Sequence, residues 1–505
     1  MIFLRPLAMN FPPKGRNLPP ACTSINETGA PVSKKPFRAL FFLHLFLVVA
    51  FASSLTACSK GGGGDDDGNP VTTTPLDPAA SDMTVMVYLN ADNNLGYFAD
   101  QDMNEMLQGM QSAESAAASA INLIVQYDGN SAGDSRIYRI TPTGRTTLES
   151  LGEQNMGDPE TLSDFIGYCK ASYPADRFAL ILWDHGDGAR AANAEDGSRT
   201  ISSDETSGDV LLMNEVQQAL GAHFSPAEPL GLIGFDACLM GTVEVAYEMK
   251  DYARTMAGSM NLEPGAGWNY EAIFENGDQI LAGSSNFAAL VVDTYRNWVQ
   301  SNDSNNGRTM SAIDLSQLDA LRIAVDGLAD AMRTNLAPSG TDHWYAAELA
   351  RRMTERYYPD NSTLYIESSP YVDLGDLCDI IAGNSPGTFT AAAATAAQTV
   401  RTALGNAVIR AFGDSGSGLT AYYGAGSSVQ RGLSIFFQQP PYSGDYNYDF
   451  ANWTQYYDDY NGWYTGNVYS EGSWGSGGQL DFCRDSSWKT FMDYVFESDH
   501  AGYNP

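Results

Sequence analysis

Two segments of the chain, FALILWD at 178–184 and GLIGFDA at 231–237, are almost uninterrupted runs of apolar residues with the length of a β-strand. A strand that has one face in water alternates polar and apolar residues, whereas a strand covered on both faces does not need to. The two runs therefore predict inner strands of a largely parallel sheet. Because parallel strands require crossover connections, which are usually helices, an α/β fold follows.

The flanking sequence supports this fold, because strand-like and helix-like segments alternate from residue 83 onward. Apolar residues repeat at helical spacing in 95–110 and 161–174, and helices dominate after about 285. SRIYRIT is expected to pair beside INLIVQYD. The other predicted strands are TVMVYLN (84–90), INLIVQYD (121–128), SRIYRIT (135–141), ARTMAGSM (253–260), GLTAYYG (418–424) and GLSIFFQQ (432–439).

The N-terminal region has the order of an export signal. A basic segment at 34–38 precedes the apolar run 39–52, and the sequence LTAC follows at 55–58. A small residue before a cysteine resembles the lipobox of bacterial lipoproteins, which implies lipidation of Cys58 and removal of residues 1–57. An ordinary signal peptide or a signal anchor is the alternative.

The composition after Cys58 separates the remaining chain into regions. Residues 58–82 are rich in Gly, Asp, Pro and Thr and predict a flexible tether, whose acidic run resembles the surface-export signal of Bacteroidetes lipoproteins. We expect an exported chain, lipid-anchored to the outer membrane and exposed at the cell surface. The core is predicted at 83–285, a more helical C-terminal part of the same unit at 286–440, and an aromatic and Gly-rich tail at 441–505.

Charge limits the partners of the chain. With 28 basic and 61 acidic residues, the formal net charge is -33, which repels nucleic acid phosphates and anionic lipids. Nucleic acid binding is therefore not expected, and contact with the membrane is expected through the lipid anchor alone.

His185 and Cys238 follow the two apolar strands directly. Functional residues of open parallel sheets gather beyond the carboxyl ends of the strands, and adjacent strands lie roughly 4.8 Å apart. The imidazole is then expected to hold the thiol as a thiolate, with help from a helix predicted at 242–250, while backbone N–H groups at Gly186 and Cys238 face a developing oxyanion. A structural histidine and an inert core cysteine are the alternatives.

Four segments together resemble the clostripain family of caspase-like cysteine peptidases. The resemblance spans most of 83–275 and continues to about 440, and the segments are TVMVYLNADNNLG (84–96), LILWDHGDG (180–188), GFDACLMGTVEVAYEM (234–249) and EPGAGWNY (263–270). It implies a caspase-like α/β fold, protein or peptide substrates, Cys238 as the nucleophile and His185 as general base and acid. Asp187 departs from the glycine that relatives often carry in this turn.

The resemblance also allows a calcium requirement. No acidic stretch has the spacing of an EF-hand, so no metal ligands are predicted and the residues themselves require no cofactor.

Asp236 matches a family position implicated in binding a basic P1 side chain. A buried carboxylate there favours a cationic partner, and bidentate pairing favours Arg over Lys. A cap at the end of the strand is the alternative role, and Glu263 is then the next candidate. Asp184 is expected to orient a loop rather than to touch the chemistry.

The segment 189–209, ARAANAEDGSRTISSDETSGD, is polar and predicts an exposed loop close to His185. Its only basic residues are Arg190 and Arg199, and relatives are activated by cleavage in this loop. We expect self-cleavage after Arg199 in preference to Arg190, which lies close to His185. The alternative is an intact loop that covers the cleft.

Two other hypotheses belong to different classes. Gly413-Asp414-Ser415-Gly416 resembles a serine peptidase signature, but Ser417 follows it and the segment is interpreted as a polar loop. A catalytically degenerate binding lipoprotein, with the tail as its binding surface, is the alternative to an enzyme.

Overall fold

The computed structural model describes residues 81–188, 201–303, 307–339, 343–357, 371–383, 388–415, 419–424, 432–437, 480–488 and 490–492. Several predicted features lie outside these residues, namely the signal region 1–57 with Cys58, nearly all of the tether, Arg190, Arg199 and most of the tail. In the described part of the chain, no helix is both long enough and apolar enough to cross a membrane.

The strands belong to one large sheet and two small ones. In chain order they are β1 (Ser81–Ala91), β2 (Ile121–Gly129), β3 (Ser135–Thr141), β4 (Gly144–Gly152), β5 (Ala175–Trp183), β6 (Ile201–Asp204), β7 (Asp209–Leu211), β8 (Leu230–Asp236), β9 (Ala253–Gly258), β10 (Thr309–Asp314), β11 (Arg356–Tyr357), β12 (Tyr371–Asp373), β13 (Val408–Ser415), β14 (Leu419–Gly424) and β15 (Ser434–Phe436).

Helices cover both faces of the large sheet. They are α1 (Gly96–Ser112), α2 (Ser115–Ala120), α3 (Pro159–Ser172), α4 (Met213–Gly221), α5 (Val243–Met249), α6 (Tyr270–Glu275), α7 (Gly277–Ala282), α8 (Ser284–Asn302), α9 (Leu318–Thr334), α10 (His343–Met353), α11 (Leu374–Gly383), α12 (Ala391–Ala407) and α13 (Asp481–Asp485).

The large sheet has ten strands in the order β14-β13-β10-β9-β8-β5-β1-β2-β3-β4. Its five inner strands, from β9 to β2, are parallel, and the strands outside them on both sides are antiparallel. The predicted α/β fold with a mostly parallel sheet is confirmed, as is the pairing of β3 beside β2.

Burial explains why the inner strands are apolar throughout. In β5, Leu180 and Leu182 pack with α3, α4 and α5 on one face, whereas Ala179 and Ile181 pack with α1, α6 and α8 on the other. All seven residues of β8 are buried. Each inner strand therefore contributes to two hydrophobic cores at once, which places the carboxyl ends of the strands along one rigid edge.

Two expectations about loops are wrong. Residues 413–415 belong to strand β13, which pairs with β10 and β14 and does not form a polar loop. Within the predicted exposed loop 189–209, residues 201–204 form β6 and are buried, with Ile201 at 0% exposure, whereas residues 205–209 are exposed as expected and 189–200 lie outside the described residues. β6 pairs with β7 and packs beneath the edge of the sheet, which its polar sequence ISSD did not indicate.

The C-terminal part packs directly on the core. β10, β13 and β14 extend the large sheet, and β15 of the three-stranded sheet reaches the turn after Cys238, where Ser434 N donates to Gly241 O. In the tail, Phe482 N donates to Glu248 of α5, and Trp488 Nε1 donates to Phe436 O. The described part of the tail therefore packs against the catalytic unit.

Candidate active site

His185 and Cys238 lie at the same edge of the sheet, on neighbouring strands. β5 and β8 are parallel and adjacent, with Trp183 opposite Asp236, so each reactive residue comes two positions after a matched pair. Gly186 lies against the turn of the cysteine, since a Cβ atom there would be 2.4 Å from the carbonyl oxygen of Cys238. Any side chain at this position would push the two segments apart. The predicted proximity of the strands is confirmed.

A buried carboxylate organises the segment that carries His185. Asp184 accepts hydrogen bonds from the side chains of Asn90 and Asn93 at 3.1 and 2.7 Å, and from the backbone N–H groups of His185 and Ser203. Its carboxylate therefore joins the ends of β1 and β5 to β6, in agreement with the expected role in orienting a loop.

The imidazole contacts a residue that the sequence analysis did not select. His185 Nε2 lies 2.6 Å from Oδ1 of Asn94, in the loop between β1 and α1. Asn94 belongs to the segment 84–96, which resembles the clostripain family, and this resemblance is the signal in the sequence that could have identified it. The contact with Asn94 fixes the orientation of the imidazole ring.

The turn after β8 presents Cys238 in a strained backbone. Leu239 has a φ of 63°, a left-handed conformation that is uncommon outside glycine, and its N–H donates to Asn261 O at 3.1 Å. The sulfur accepts a hydrogen bond from the N–H of Glu263 at 3.3 Å. Among the described residues, Cys238 forms no disulfide, so its thiol is available.

Burial favours the neutral form of this thiol. It raises the pKa of Cys238 to about 12, and the nearby carboxyl of Glu263 acts in the same direction. This direction is opposite to that of the expected thiolate. α5 begins only at Val243, and the N–H of Val245 in its first turn is bound by the side chain of Thr242.

Asp236 ends β8 and its side chain is buried near a second carboxyl, that of Glu263. Its carboxylate accepts hydrogen bonds from Tyr270 Oη at 2.8 Å and from Trp268 N at 3.2 and 3.3 Å. Gly267 has a φ of 53° and allows this approach, since a Cβ atom there would lie 2.6 Å from Asp236 Oδ1. The carboxylate thus acts as a cap at the end of β8, which is the alternative role that the sequence left open.

Glu263 provides the second buried carboxyl, next to that of Asp236. Both of its carboxylate oxygens are buried and make no hydrogen bond, and the same is true of the hydroxyl of Tyr295 and of Nε1 of Trp268. Unsatisfied polar atoms are rare in protein interiors, and each is costly. The three residues that carry these atoms all interact with Asp236 or Cys238.

Burial also controls the charge of these two carboxyls. It raises the pKa of Asp236 to about 7, although the hydrogen bonds from Tyr270 and Trp268 act to lower it. Burial and the charge of Asp236 together raise the pKa of Glu263. The positive charge of Arg308 acts in the opposite direction on Glu263, but burial dominates, so both carboxyls titrate above their usual range.

The turn after His185 is held by the C-terminal part. Tyr371 of β12 donates its hydroxyl to the carbonyl of Asp187 at 3.1 Å. Gly188, with a φ of 73°, lies directly under this ring, and a Cβ atom would be 2.4 Å from the tyrosine oxygen. Asp187 therefore has a defined place beside the site, although relatives often carry glycine there.

A parallel sheet with a histidine and a cysteine at the ends of adjacent strands is the arrangement of a caspase-like cysteine peptidase. A model described as the clostripain family matches residues 87–494. The chain belongs to the clostripain family. It is a cysteine peptidase, a hydrolase whose substrates are proteins or peptides.

Characterised relatives agree with this assignment. Clostripain from Hathewaya histolytica is 27% identical over 486 residues, which cover 82% of this chain and 87% of that protein. A secreted C11 cysteine protease from Bacteroides thetaiotaomicron, solved with an irreversible peptide inhibitor, has a TM-score of 0.51 at 23% identity, over 75% of this chain and 99% of that one.

A second solved structure is that of an inactive zymogen C11 protease from Parabacteroides distasonis. It has a TM-score of 0.52 at 19% identity, over 76% of this chain and 99% of that one. At these identities the two structures show a shared fold.

Proposed function

We propose that this peptidase is an endopeptidase that cleaves after basic residues, with Arg preferred, through Cys238 and His185. The observation that carries the proposal is the buried pair of carboxyls, Asp236 and Glu263, directly beside a thiol at the end of β8. Two buried carboxyls favour a cationic ligand, even though Arg308 already acts on Glu263. A cationic P1 side chain bound by this pair brings the carbonyl of the same P1 residue to the sulfur.

The proposed reaction has two stages. Cys238 attacks the scissile carbonyl carbon while His185 accepts the thiol proton, and backbone N–H groups at Gly186 and Cys238 stabilise the oxyanion. The C–N bond then breaks, and the imidazolium gives its proton to the leaving amine. Water, deprotonated by His185, attacks the thioacyl carbon, and the thiol takes the proton back as the acid product leaves.

Substrate binding assists the ionisation of the thiol in this mechanism. The carboxylate of Glu263 contributes to the raised pKa of Cys238. A guanidinium bound between the pocket carboxyls offsets that negative charge, which lowers the pKa of the thiol at the moment the substrate is in place. Arg is preferred over Lys at P1 because its planar guanidinium can donate hydrogen bonds to both carboxylate oxygens of Glu263 at once.

A panel of fluorogenic peptides tests the proposal. We expect kcat/KM to be about tenfold higher for Arg than for Lys, and far higher for both than for Ala or Asp. A thiol alkylator should remove the activity. Binding of peptides without any turnover would contradict the proposal and favour the degenerate binding protein.

The pH dependence of kcat/KM for these peptides distinguishes titration of Asp236 from titration of His185 and Cys238. Asp236, with a pKa of about 7, is neutral below that pH and charged above it. The ratio of kcat/KM for Arg to that for Ala peptides should therefore rise with pH between about 6 and 8, whereas changes at the dyad affect both peptides alike. A ratio independent of pH would contradict the role of Asp236.

We also expect the chain to process itself after Arg199, in preference to Arg190. The new N-terminus, Thr200, immediately precedes the buried strand β6, so both fragments should remain associated. Gel electrophoresis and N-terminal sequencing should find a fragment that begins at Thr200 in the wild type, and no cleavage in Cys238→Ala. Arg199→Ala is the matched control. An intact and fully active wild type would contradict this prediction.

A further inference from the structure

The three-stranded sheet of the C-terminal part contacts the turns that carry both members of the dyad. On β12, the hydroxyl of Tyr371 donates to the carbonyl oxygen of Asp187, two residues after His185, at 3.1 Å. On β15, the N–H of Ser434 donates to the carbonyl oxygen of Gly241, three residues after the cysteine, at 3.0 Å. Because β12 and β15 pair directly, one sheet connects the two turns.

The two turns also lie directly against each other. A Cβ atom at Gly186 would be 2.4 Å from the carbonyl oxygen of Cys238, and one at Gly188 would be 3.1 Å from the carbonyl oxygen of Leu239. On its other side, Gly188 faces the ring of Tyr371, with 2.4 Å from the Cβ position to Oη and 2.8 Å to Cζ. The turn of the histidine is therefore enclosed between the turn of the cysteine and this tyrosine.

Tyr371 is itself held firmly in the small sheet. Its side chain is 1% exposed, and its ring packs edge-on against Phe436, with 6.0 Å between the ring centroids. Phe436 N donates to the side chain of Glu244 in α5 at 2.9 Å. On the other side of β12, Tyr357 of β11 pairs with Tyr371 and donates its hydroxyl to Asp373 at 2.9 Å. These contacts give the hydroxyl of Tyr371 a fixed position.

We propose that Tyr371 is a positioning residue of the peptidase, whose hydrogen bond to Asp187 holds the turn of His185 in place for proton transfer from Cys238. The proposal rests on the proposed function, in which this histidine is the base for this cysteine. Proton transfer requires the two groups to come within hydrogen-bond distance, and a displacement of about 1 Å can cost on the order of 100-fold in rate. The hydroxyl contacts the backbone of the turn, so it acts through the histidine.

The kinetics of Tyr371→Phe in the full chain test this role. The variant keeps the ring against Gly188 and Phe436 and removes only the hydroxyl. We expect kcat for an Arg peptide to fall about tenfold and KM to stay within about twofold. The loss of kcat/KM should be equal for Arg and Ala peptides, because the hydroxyl acts on the dyad and not on the carboxyls that bind the P1 side chain.

Alkylation of Cys238 by iodoacetamide tests the same role without a peptide. Mass spectrometry of the peptide that carries Cys238 gives the rate constant at each pH. At pH 7 the thiol, with a pKa of about 12, depends on the imidazole for loss of its proton. Tyr371→Phe should therefore lower the rate constant at pH 7 about tenfold, towards that of His185→Ala, and lower it less at pH 9.5.

Tyr357→Phe is the matched control, since it makes the same substitution on the neighbouring strand. It removes an equally buried hydroxyl, which donates to Asp373 and not to the turn of the histidine. Both variants should lower the melting temperature to a similar extent, because each loses one buried hydrogen bond. Tyr357→Phe should keep the kcat of the wild type and its alkylation rate at pH 7.

Three outcomes would overturn the proposal. Wild-type turnover and alkylation by Tyr371→Phe would show that the hydroxyl is not needed. Equal losses in Tyr357→Phe would show a general effect of destabilisation. If His185→Ala leaves the alkylation rate at pH 7 unchanged, the dyad of the proposed function fails, and the role of Tyr371 fails with it; normal slowing by His185→Ala with no effect of Tyr371→Phe removes the role of Tyr371 alone.

Discussion

Replacement of Cys238 by alanine is expected to lower kcat/KM for an Arg peptide by on the order of 10⁴-fold or more, because no other group can form the thioacyl intermediate. His185→Ala should cause a loss of similar size, since the thiol, with a pKa of about 12, then has no base. Peptide hydrolysis measured under thiol-reducing conditions checks both variants.

The fold should not depend on either residue. Both lie beyond the ends of β5 and β8, outside the apolar strands. Cys169→Ala and His223→Ala are matched controls, since Cys169 is buried in α3 and His223 contacts Ser163 on the same side of the sheet. Both controls should keep activity and sensitivity to alkylation. More than a tenth of wild-type activity in Cys238→Ala would exclude it as the nucleophile.

The position of the dyad could be predicted from the sequence because it depends on a local pattern. Two apolar runs, each followed by one reactive residue, required inner parallel strands, and such strands end at a common edge. The register of β5 against β8 then placed His185 and Cys238 at equal depth. No knowledge of distant contacts was needed for this step.

Features that depend on distant segments could not be predicted in this way. Asn94 reaches His185 from the loop after β1, 91 residues earlier in the chain. No regularity in the sequence links these two positions. The raised pKa of Cys238 was missed for the same reason, because burial, its main cause, is not visible in the local sequence.

Two strands of the large sheet, β4 and β13, could not be predicted from their local sequence. β4 is mostly exposed, and β13 contains Gly413 and Asp414, which are typical of turns. Pairing with neighbouring strands stabilises these segments and outweighs their low intrinsic preference for a strand. The polar strand β6 is stabilised by Asp184 and by the loop after β1, contacts that the local sequence does not show.

The two pocket carboxyls differ in what already binds them. Asp236 accepts hydrogen bonds from Trp268 and Tyr270, whereas neither oxygen of Glu263 has a partner. In the proposed substrate pocket, Asp236 contributes its charge and Glu263 contributes its two oxygens to a guanidinium. The charge of the Glu263 carboxyl raises the pKa of the Cys238 thiol. The backbone N–H of the same residue donates to Cys238 Sγ and acts in the opposite direction.

Glu263→Gln and Asp236→Asn should each reduce kcat/KM for Arg peptides by about 2–4 kcal/mol, or about 30- to 1,000-fold, because each leaves the bound cation facing a neutral group in a buried site. Activity on Ala peptides should change by less than about threefold, since these substrates place no charge in the pocket. The double variant should lose less activity than the sum of the single losses, because both carboxyls act on one cation.

Steady-state kinetics with Arg and Ala peptides measures kcat/KM for each variant. Glu275→Gln, at an exposed position of α6, is the control and should match the wild type. An unchanged preference for Arg over Ala in both single variants would place the specificity pocket elsewhere.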